Sequence, residues 1–346
     1  MIRFFCFAKY VLFLWIILLG LGSCQQEQGT NTKETRFLLG TIVEFTIFND
    51  NEELALQAIQ EATNAMQAVE NTFTIYGSVN NSVKAFNRAL VGQEVELEPS
   101  VSSLLDLSFK VHQQTLGAFD PTLGELNQRW GFSNAQQPTV PLKKSEVFAA
   151  LQQSGVQKLK QVHPNVWVKS QEGLKLDFGA IAKGLAIDQG VQALKVRGIQ
   201  HAIINAGGDM RILGDHGNKP WKVAVRHPRV ETPLGWFEVK HDLSIVTSGD
   251  YERFFIYDGK RFHHIIDPKT GYPSQSSLSV TVSAPTAVQA DALSTAMFIL
   301  GYEKGMDIIE TIDNVECVWV DVSLTVHMTS GMKAQFHLME NRGELL

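Results

Sequence analysis

Three oxygen-bearing residues in the last quarter of the chain have the spacing of a metal site. Asp291, Ser294 and Thr295 occupy positions i, i+3 and i+4, so they share one face if residues 291–301 form a helix. Carboxylate and hydroxyl oxygens suit a hard cation such as Mg²⁺. The alternative is a helix start with a capping acid and small packing residues. The spacing alone therefore leaves a metal site and a capped helix open.

A pair of histidines, His263 and His264, precedes this segment among turn-forming residues. A histidine whose pKa lies near neutrality can accept a proton from a hydroxyl group. In a strand the two side chains point to opposite faces, so at most one of them faces a site. A purely structural role is the alternative. The nearby acids Asp267 and Asp291 favour a catalytic role over a structural one.

A turn with two glycines at residues 117–124 follows a predicted helix and surrounds a single aromatic residue. Phe119 could stack on a planar ring, and Asp120 could accept hydrogen bonds from the polar edge of that ring. A structured turn with a packed phenylalanine is the alternative.

Residues 176–184 form a predicted junction between a strand and a helix, where free backbone amides favour a phosphate group. Lys183 lies one turn into the helix. The spacing matches neither a Walker A loop nor a G-x-G-x-x-G fingerprint. At residues 205–209 two glycines after an apolar strand allow a ligand to approach the backbone closely. A capped helix and a tight turn without ligand are the alternatives.

The composition is that of a globular protein that does not bind nucleic acid. The chain has 346 residues, of which 44% are hydrophobic and 19% charged, enough for one large domain or two small ones. Its formal net charge is -6, and the sequence contains no basic block, which argues against a nucleic-acid partner.

The N-terminus has the features of a secretion signal. Arg3 and Lys9 precede and flank an apolar stretch at residues 10–19 that is too short for a comfortable membrane span. The sequence Leu21-Gly22-Ser23-Cys24 resembles the lipobox of bacterial lipoproteins, and a plain signal peptide is the alternative. We therefore divide the chain into a lipoprotein signal peptide (1–23), a lipidated Cys24 with a polar tether (24–34) and a folded domain (35–346).

This division predicts a lipoprotein anchored to a bacterial membrane and facing the periplasm or another extracytoplasmic space. Gln26 does not provide the usual inner-membrane retention signal, which favours the outer membrane, although the sequence leaves both membranes open. After signal removal and lipidation of Cys24, Cys317 is the remaining thiol, so no intramolecular disulfide is expected.

The order of the predicted elements indicates an α+β fold. Helices predominate in the first half and strands in the second, which predicts a mixed or antiparallel sheet with flanking helices in one compact domain, either undivided or bilobed. We predict an opening strand at 41–48, a hairpin across 161–177 and a closing meander across 317–338. Helices are predicted at 52–71, 100–116, 145–154, 180–197 and 287–300.

Taken together, the motifs resemble those of the ApbE family, the FAD:protein FMN transferases, in the order in which that family has them. The resemblance spans residues 39–301. It rests on Leu39-Gly40-Thr41; Thr74-Ile75-Tyr76 with Asn81-Ser82 and Asn87; Ala118 to Thr122; Asp177 to Gly184; Asn205 to Asp209; Thr247 to Tyr251; His264 to Gly271; and Ala290-Asp291-Ala292 with Thr295.

The resemblance implies a site for FAD and a site for Mg²⁺. The implied FAD-binding residues are Leu39, Tyr76, Ala118, Phe119, Asp120, Asp177, Lys183 and Ile265. The implied Mg²⁺ ligands are the carbonyl of Ala180 and the side chains of Asp291 and Thr295, with Ser294 as a further candidate. The chain departs from the family in two places, with Leu39 for the usual methionine and Phe178-Gly179-Ala180 for Leu-Gly-Gly.

The implied reaction is Mg²⁺-dependent transfer of FMN from FAD to a threonine or serine hydroxyl, with release of AMP. His264 is the candidate base, ahead of His263 and Asp250, and Asp291 is the second catalytic candidate. The implied acceptors are flavoprotein subunits of membrane redox complexes or other extracytoplasmic flavoproteins. An Mg²⁺-dependent FAD pyrophosphatase and a non-catalytic FAD-binding lipoprotein are the rival functions. The acceptor, the choice between Mg²⁺ and Mn²⁺ and the oligomeric state stay open.

Overall fold

The computed structural model describes residues 29–134, 136 and 138–339. The predicted signal peptide and Cys24 lie outside these residues. Among the described residues, no helix is both long and apolar enough to cross a membrane.

Helices and strands are numbered separately in chain order. The strands are β1 (Thr30–Leu38), β2 (Thr41–Asn49), β3 (Val95–Glu96), β4 (Leu159–His163), β5 (Val166–Lys169), β6 (Ala202–Ala206), β7 (Asp209–Leu213), β8 (Trp221–Arg226), β9 (Pro233–Val239), β10 (Leu243–Gly249), β11 (Phe254–Tyr257), β12 (Lys260–His263), β13 (Ser279–Ala284), β14 (Glu316–Val320), β15 (Val326–Met328) and β16 (Phe336–Leu338). The helices are α1 (Glu52–Phe73), α2 (Ser82–Arg88), α3 (Pro99–Gln114), α4 (Gly124–Trp130), α5 (Lys144–Leu151), α6 (Ala182–Val196), α7 (Ala287–Ile309) and α8 (Met332–Gln335).

An eight-stranded antiparallel sheet forms the centre of the fold, with the order β1-β2-β6-β7-β10-β13-β14-β15. One face carries helices, because alternate residues of β2 and β6 pack against apolar residues of α1 and α6. On the opposite face, β7, β10 and β14 pack against a three-stranded sheet with the order β16-β9-β8. The predicted α+β class, with an antiparallel sheet and flanking helices, is confirmed.

Strand β1 begins earlier than the predicted domain boundary at residue 35. It pairs with β2 along its full length, from Thr30 opposite Asn49 to Leu38 opposite Thr41. Residues 30–34, which the sequence analysis placed in the tether, are therefore part of the sheet, and the predicted opening strand at 41–48 is the second strand. The polar composition of this segment concealed it, since only one face of an edge strand is buried here.

Two other predictions of strand pairing were wrong. The hairpin predicted across 161–177 turns earlier, between β4 and β5, and residues 173–177 lie outside the strands. The predicted closing meander also divides, because β16 pairs with β9 in the second sheet while β14 and β15 belong to the first. The choice of partner strand depends on long-range packing that local residue patterns do not encode.

Helices α6 and α7 hold each other's first turns. The Asp188 carboxylate of α6 accepts the backbone N–H groups of Ala287 and Val288 at 2.9 Å each, and the Asp291 carboxylate of α7 accepts the N–H of Gly184 at 2.8 Å. The first-turn amides of a helix have no partner within their own helix, so an acid from outside replaces the usual cap. Two predicted motifs are thereby fixed against each other.

The close approach of these helices requires a glycine at position 184. A Cβ atom there would overlap the carbonyl group of Ala287, whereas at Gly190 it would meet mainly the side chains of Met66 and Ile204. The helix predicted at 287–300 is confirmed and continues to residue 309 after a break at Gly301, which has a φ of 72°.

Gly184→Ala should lower the free energy of unfolding by about 1–3 kcal/mol, because the added methyl group collides with backbone that cannot rotate away. Gly190→Ala is the matched control in the same helix, because the methyl group there meets the flexible end of Met66 and improves helix propensity. Urea unfolding of both variants measures the difference. Equal stabilities would show that the α6–α7 contact tolerates a side chain.

Candidate active site

A cleft of about 740 Å³ opens where the two helix starts meet the turns of two hairpins. All eight residues that the resemblance implies for FAD line this cleft, although they come from segments far apart in the sequence. They are Leu39, Tyr76, Ala118, Phe119, Asp120, Asp177, Lys183 and Ile265.

Two tight hairpin turns form one side of the cleft. Leu39 and Gly40 connect β1 to β2 with φ values of 55° and 68°, and Gly207 and Gly208 connect β6 to β7 with φ values of 65° and 101°. Two-residue hairpin turns commonly require positive φ, which is why glycine predominates there. Leu39 adopts this conformation despite its side chain, which places an apolar group at the edge of the cleft.

The loop after α3 contributes an aromatic ring and an acid. The carbonyl oxygen of Phe119 lies 2.7 Å from Nδ1 of His112, and the Asp120 carboxylate accepts the backbone N–H of Thr122 at 2.8 Å. Burial raises the pKa of the Asp120 carboxyl, although its hydrogen bonds to Thr122 oppose that change. A carboxyl group beside an aromatic ring suits a polar heterocycle, because its oxygens can accept hydrogen bonds from the ring edge.

The junction before α6 is held from several directions. The side-chain amide of Asn87 exchanges two hydrogen bonds with the backbone of Leu176, and the N–H of Asp177 bonds to the carbonyl of Pro121. The two oxygens of Asp177 accept the N–H of Gly179 at 2.8 Å and the side-chain amide of Asn127 at 2.9 Å. The start of α6 is thus fixed at the edge of the cleft.

Lys183 makes an ion pair with Asp209, the residue that follows the Gly207-Gly208 turn. Burial lowers the pKa of the Lys183 ammonium, but the charges of Asp209 and Asp291 outweigh that effect and raise it. Lys183 therefore stays protonated and brings a positive charge to the start of α6, where an anionic group of a ligand would be stabilised.

Asp291 is a buried acid at the centre of the cleft, with 5% of its surface exposed. Burial, with the negative charge of Asp209 adding to it, raises the pKa of the Asp291 carboxyl to about 7. One of its oxygens accepts the N–H of Gly184. A carboxylate that is this costly to ionise is a site where a bound cation would lower the electrostatic free energy.

Of the three residues with helical spacing, Asp291, Ser294 and Thr295, two line the cleft and one points away from it. Asp291 and Thr295 line the cleft, whereas Ser294 is fully buried and does not. The Ser294 hydroxyl lies 2.8 Å from the hydroxyl of Ser248 and donates to the carbonyl of Asp291 at 3.0 Å. Ser294 therefore stabilises the helix against β10, and it is a poor candidate for a metal ligand.

The metal set implied by the resemblance fits the cleft without Ser294. Within the described part of the chain, no three His, Cys, Asp or Glu side chains cluster closely enough to hold a metal ion by themselves. A cation at Asp291 would therefore need uncharged oxygens as well. Thr295 and Ala180 line the same cleft and offer a hydroxyl and a carbonyl, which are ligands that Mg²⁺ accepts.

Of the two histidines, His264 lines the cleft and His263 does not. Burial, followed by the nearby positive charge of Arg253, lowers the pKa of the His264 imidazole well below its usual value. Its Nδ1 atom is shielded from solvent and has no hydrogen-bond partner among the described residues. His264 is therefore a neutral imidazole near neutral pH, as a proton acceptor must be.

The other two candidate bases have structural roles. Nε2 of the buried His263 lies 2.7 Å from the carbonyl oxygen of Ser274, and its ring packs against Phe298. The Asp250 carboxylate forms ion pairs with Arg229 and Arg261 and does not line the cleft. Neither group is placed to take a proton from a ligand in the cleft.

Comparison with known proteins identifies the family. The ApbE family profile matches residues 39–319, which is most of the chain. The chain belongs to the ApbE family.

Several ApbE proteins are similar to this chain over different lengths. The FAD:protein FMN transferase of Treponema pallidum is 29% identical over 350 residues, with 94% of each protein covered. That of Rhodobacter capsulatus is 31% identical over 79% of this chain, which spans 52% of the relative. The crystal structure of the ApbE protein from Thermotoga maritima superposes with a TM-score of 0.80 at 32% identity, covering 88% of this chain and 99% of that one.

Two polar residues of this ApbE cleft were not among the sequence-derived site residues. Asp209 pairs with Lys183, and Arg253 lines the cleft, accepts the N–H of His264 on its carbonyl and donates from its guanidinium to Ser133. Asp209 directly follows a double glycine, and Arg253 follows the Thr247–Tyr251 motif. The position of Asp209 after a double glycine was a usable signal, since turns beside a site often carry its polar groups.

The raised pKa of Asp291 predicts an unusual dependence of stability on pH. In the folded chain this carboxyl binds its proton up to about pH 7, whereas in the unfolded chain it ionises near pH 4. Its contribution to stability is present below about pH 4 and is lost as the pH rises through 7. With a metal chelator present, Asp291→Asn should exceed the wild type in stability at pH 8 by on the order of 2–4 kcal/mol.

Thermal unfolding between pH 5 and pH 8 measures this difference, which should shrink towards the acidic end. Added Mg²⁺ should raise the melting temperature of the wild type at pH 8 and leave that of Asp291→Asn unchanged. A variant that is less stable than the wild type at every pH would contradict the assigned environment of Asp291.

Proposed function

We propose that this chain transfers FMN from FAD to a threonine or serine hydroxyl of an extracytoplasmic acceptor flavoprotein, with Mg²⁺ as cofactor and AMP as product. Its relatives are named FAD:protein FMN transferases. A solved structure similar to this chain is that of the flavin transferase ApbE from Vibrio cholerae. The observation that carries the finer proposal is the meeting of Lys183, Asp291 and the neutral His264 in one cleft with the residues implied for FAD.

The cleft offers complementary surroundings to the parts of FAD. Phe119, Ile265 and Tyr76 provide apolar and aromatic surface for the flavin ring, and Asp120 provides an acceptor for a polar ring edge. Lys183, at the positive end of the α6 dipole, provides a positive charge for the pyrophosphate. FAD bound in this way would present a phosphate group next to the charged residues.

The proposed transfer breaks the phosphoanhydride bond of FAD and forms a phosphoester bond to the acceptor. The hydroxyl oxygen of the acceptor forms a bond to the phosphorus on the riboflavin side of FAD. The bond from that phosphorus to the bridging oxygen breaks, and AMP leaves with the bridging oxygen. The proton of the hydroxyl passes to His264, whose neutral ring can accept it. Lys183 stabilises the negative charge on the phosphates as the bond breaks.

Asp291, Thr295 and the carbonyl of Ala180 are the residues that would hold the metal ion. Bound Mg²⁺ would neutralise charge on the pyrophosphate and orient it for in-line attack. Asp291 must be ionised for that role, so an acid with a pKa of about 7 also couples metal binding to pH.

The acceptor and the location belong to the same proposal. Lipidation of Cys24 would anchor the enzyme to a bacterial membrane, where flavoprotein subunits of membrane redox complexes or other extracytoplasmic flavoproteins would be accessible. The lipobox-like sequence at residues 21–24 supports this part of the proposal, and these residues lie outside the described structure.

Co-expression with an extracytoplasmic flavoprotein should yield an acceptor with the added mass of FMN on one threonine or serine, as measured by mass spectrometry. Asp291→Ala should abolish the added mass, because the variant lacks the charged ligand of the proposed metal site. Asp307→Ala is the matched control, an exposed acid on the same helix α7 that lies away from the cleft. AMP release from FAD in the absence of acceptor would instead indicate a pyrophosphatase.

His264→Ala should lower kcat by about 10²- to 10⁴-fold at saturating FAD, because the acceptor hydroxyl loses its base. The KM for FAD should change little, since the flavin and pyrophosphate contacts are retained. His163→Ala is the control, because His163 is exposed at the end of β4. Transfer at the wild-type rate in His264→Ala would remove this residue from the mechanism.

A further inference from the structure

A second groove, of about 580 Å³, lies on the side of the eight-stranded sheet opposite α1 and α6. Its floor is the outer face of β1, β2 and β6, with Thr35, Glu44 and Asn205 at its centre. Residues 222–226 of β8 form its wall. The groove takes no part in the proposed binding of FAD.

Strand β8 borders this groove as the last strand of the covering sheet. That sheet has the order β16-β9-β8, and in the described part of the chain β8 pairs with β9 alone. The sheet covers β7, β10 and β14 of the large sheet through a shared core, and Phe48 of β2 and Ile203 of β6 pack at the margin of that core. The outer face of β1 lines the groove instead. The groove therefore lies where a fourth strand of the covering sheet would lie.

The edge of β8 is suited to pairing with an extended chain. Along an antiparallel strand every second residue points its N–H and C=O away from its partner, so β8 presents backbone groups on the side away from β9. Its side chains alternate regularly between the core and solvent, with Ala224 exposed at the centre. Unpaired strand edges of this kind recruit peptides by β-strand addition.

The groove runs towards the FAD cleft. At one end Trp221 of β8 packs against His216, which in turn contacts Phe48 at the end of β2. At the other end the guanidinium of Arg226 lies 4.8 Å from the centre of the Tyr251 ring. Three residues near this second end, Gly207, Thr247 and Glu252, line both the groove and the FAD cleft. The groove and the FAD cleft are therefore adjacent at this end.

An exposed apolar pair lies next to the turn that borders the FAD cleft. Phe37 and Ile42 lie opposite each other on β1 and β2, with 76% and 58% of their surfaces exposed. They adjoin the turn at Leu39 and Gly40 that forms the edge of the FAD cleft. Exposed apolar residues grouped beside a site favour contact with another protein.

We propose that the segment of the acceptor protein that carries the modified threonine or serine binds in this groove as an extended strand added to β8. This proposal rests on the proposed function, because a transferase must bring an acceptor hydroxyl to the FAD phosphate. A strand in the groove would follow β8 from Trp221 to Arg226 and reach the shared residues. Its hydroxyl would then enter the cleft from the side of Thr247 and Glu252.

Two substitutions that fill the groove from opposite sides test the proposal. Ala224→Trp narrows it from the wall and Thr35→Trp from the floor, and both positions are exposed. The probe is a synthetic peptide spanning the residue that the wild-type enzyme modifies in the co-expressed acceptor. Both variants should raise the KM for the peptide about tenfold or more, which is the expected loss for several backbone hydrogen bonds. The KM for FAD should stay unchanged.

Val322→Trp is the control, because Val322 is exposed and lines neither the groove nor the FAD cleft. Its KM values for peptide and FAD should equal those of the wild type. Transfer by the wild type with unchanged peptide KM in both groove variants would overturn the groove proposal and leave the proposed function standing. Absence of transfer by the wild type would instead overturn the proposed function.

A second test uses the wild-type enzyme, so it does not depend on the folding of any variant. Two peptides are compared, each N-methylated at alternate residues in one of the two possible registers. Because only one edge of an added strand faces β8, one peptide should lose binding and the other should retain it. Equal transfer to both peptides would exclude strand pairing.

Discussion

The exchange of acids between α6 and α7 is the constraint on which the site depends. Asp188 caps the start of α7, Asp291 caps the start of α6, and Gly184 allows the two helices to meet. Both carboxyl groups are buried enough that burial raises their pKa values. Burying an ionised carboxylate raises the free energy of the folded state unless hydrogen-bond donors compensate it. The amides at a helix N-terminus are strong donors of this kind. The hydrogen bond from Gly184 to Asp291 holds the Asp291 carboxylate at the start of α6. Any ligand that binds at the start of α6 therefore also lies next to Asp291.

This arrangement also explains the charge state of the whole cleft. Asp209 and Asp291 keep Lys183 protonated, while Asp209 makes ionisation of Asp291 harder. Arg253 and Lys183 together disfavour a positive charge on His264, after the larger effect of burial. The cleft is thus lined by two permanent cations, Lys183 and Arg253, together with an acid that ionises near neutrality and a histidine that stays neutral. An anionic ligand with a metal ion would balance these charges, because the anion would pair with Lys183 and the metal ion with the ionised Asp291.

Local patterns predicted most helices and the α+β class, because caps, apolar periods and glycine turns are local. The set of FAD residues gathered in the cleft was implied by the resemblance to the ApbE family. Strand β1 was missed, since an edge strand such as Thr30–Leu38 buries few side chains and reads as a polar tether. The partner of β16 was missed for a different reason, because strand pairing is decided by packing between distant segments. Helical spacing placed Ser294 beside Thr295 but could not show that its hydroxyl turns to Ser248. Asp209 and Arg253 act through tertiary contacts, which no spacing encodes.

The low pKa of His264 has a consequence for the choice between threonine and water as the attacking group. A weakly basic imidazole removes a proton from a hydroxyl only as the new bond to phosphorus forms, so the rate depends strongly on how well the hydroxyl is placed. A water molecule in the cleft is placed only by its own hydrogen bonds. A threonine within a strand bound along β8 would be placed by the backbone of the whole segment. In the proposed mechanism, a weak base combined with the proposed acceptor groove therefore favours transfer over hydrolysis, whereas a stronger base would activate either group.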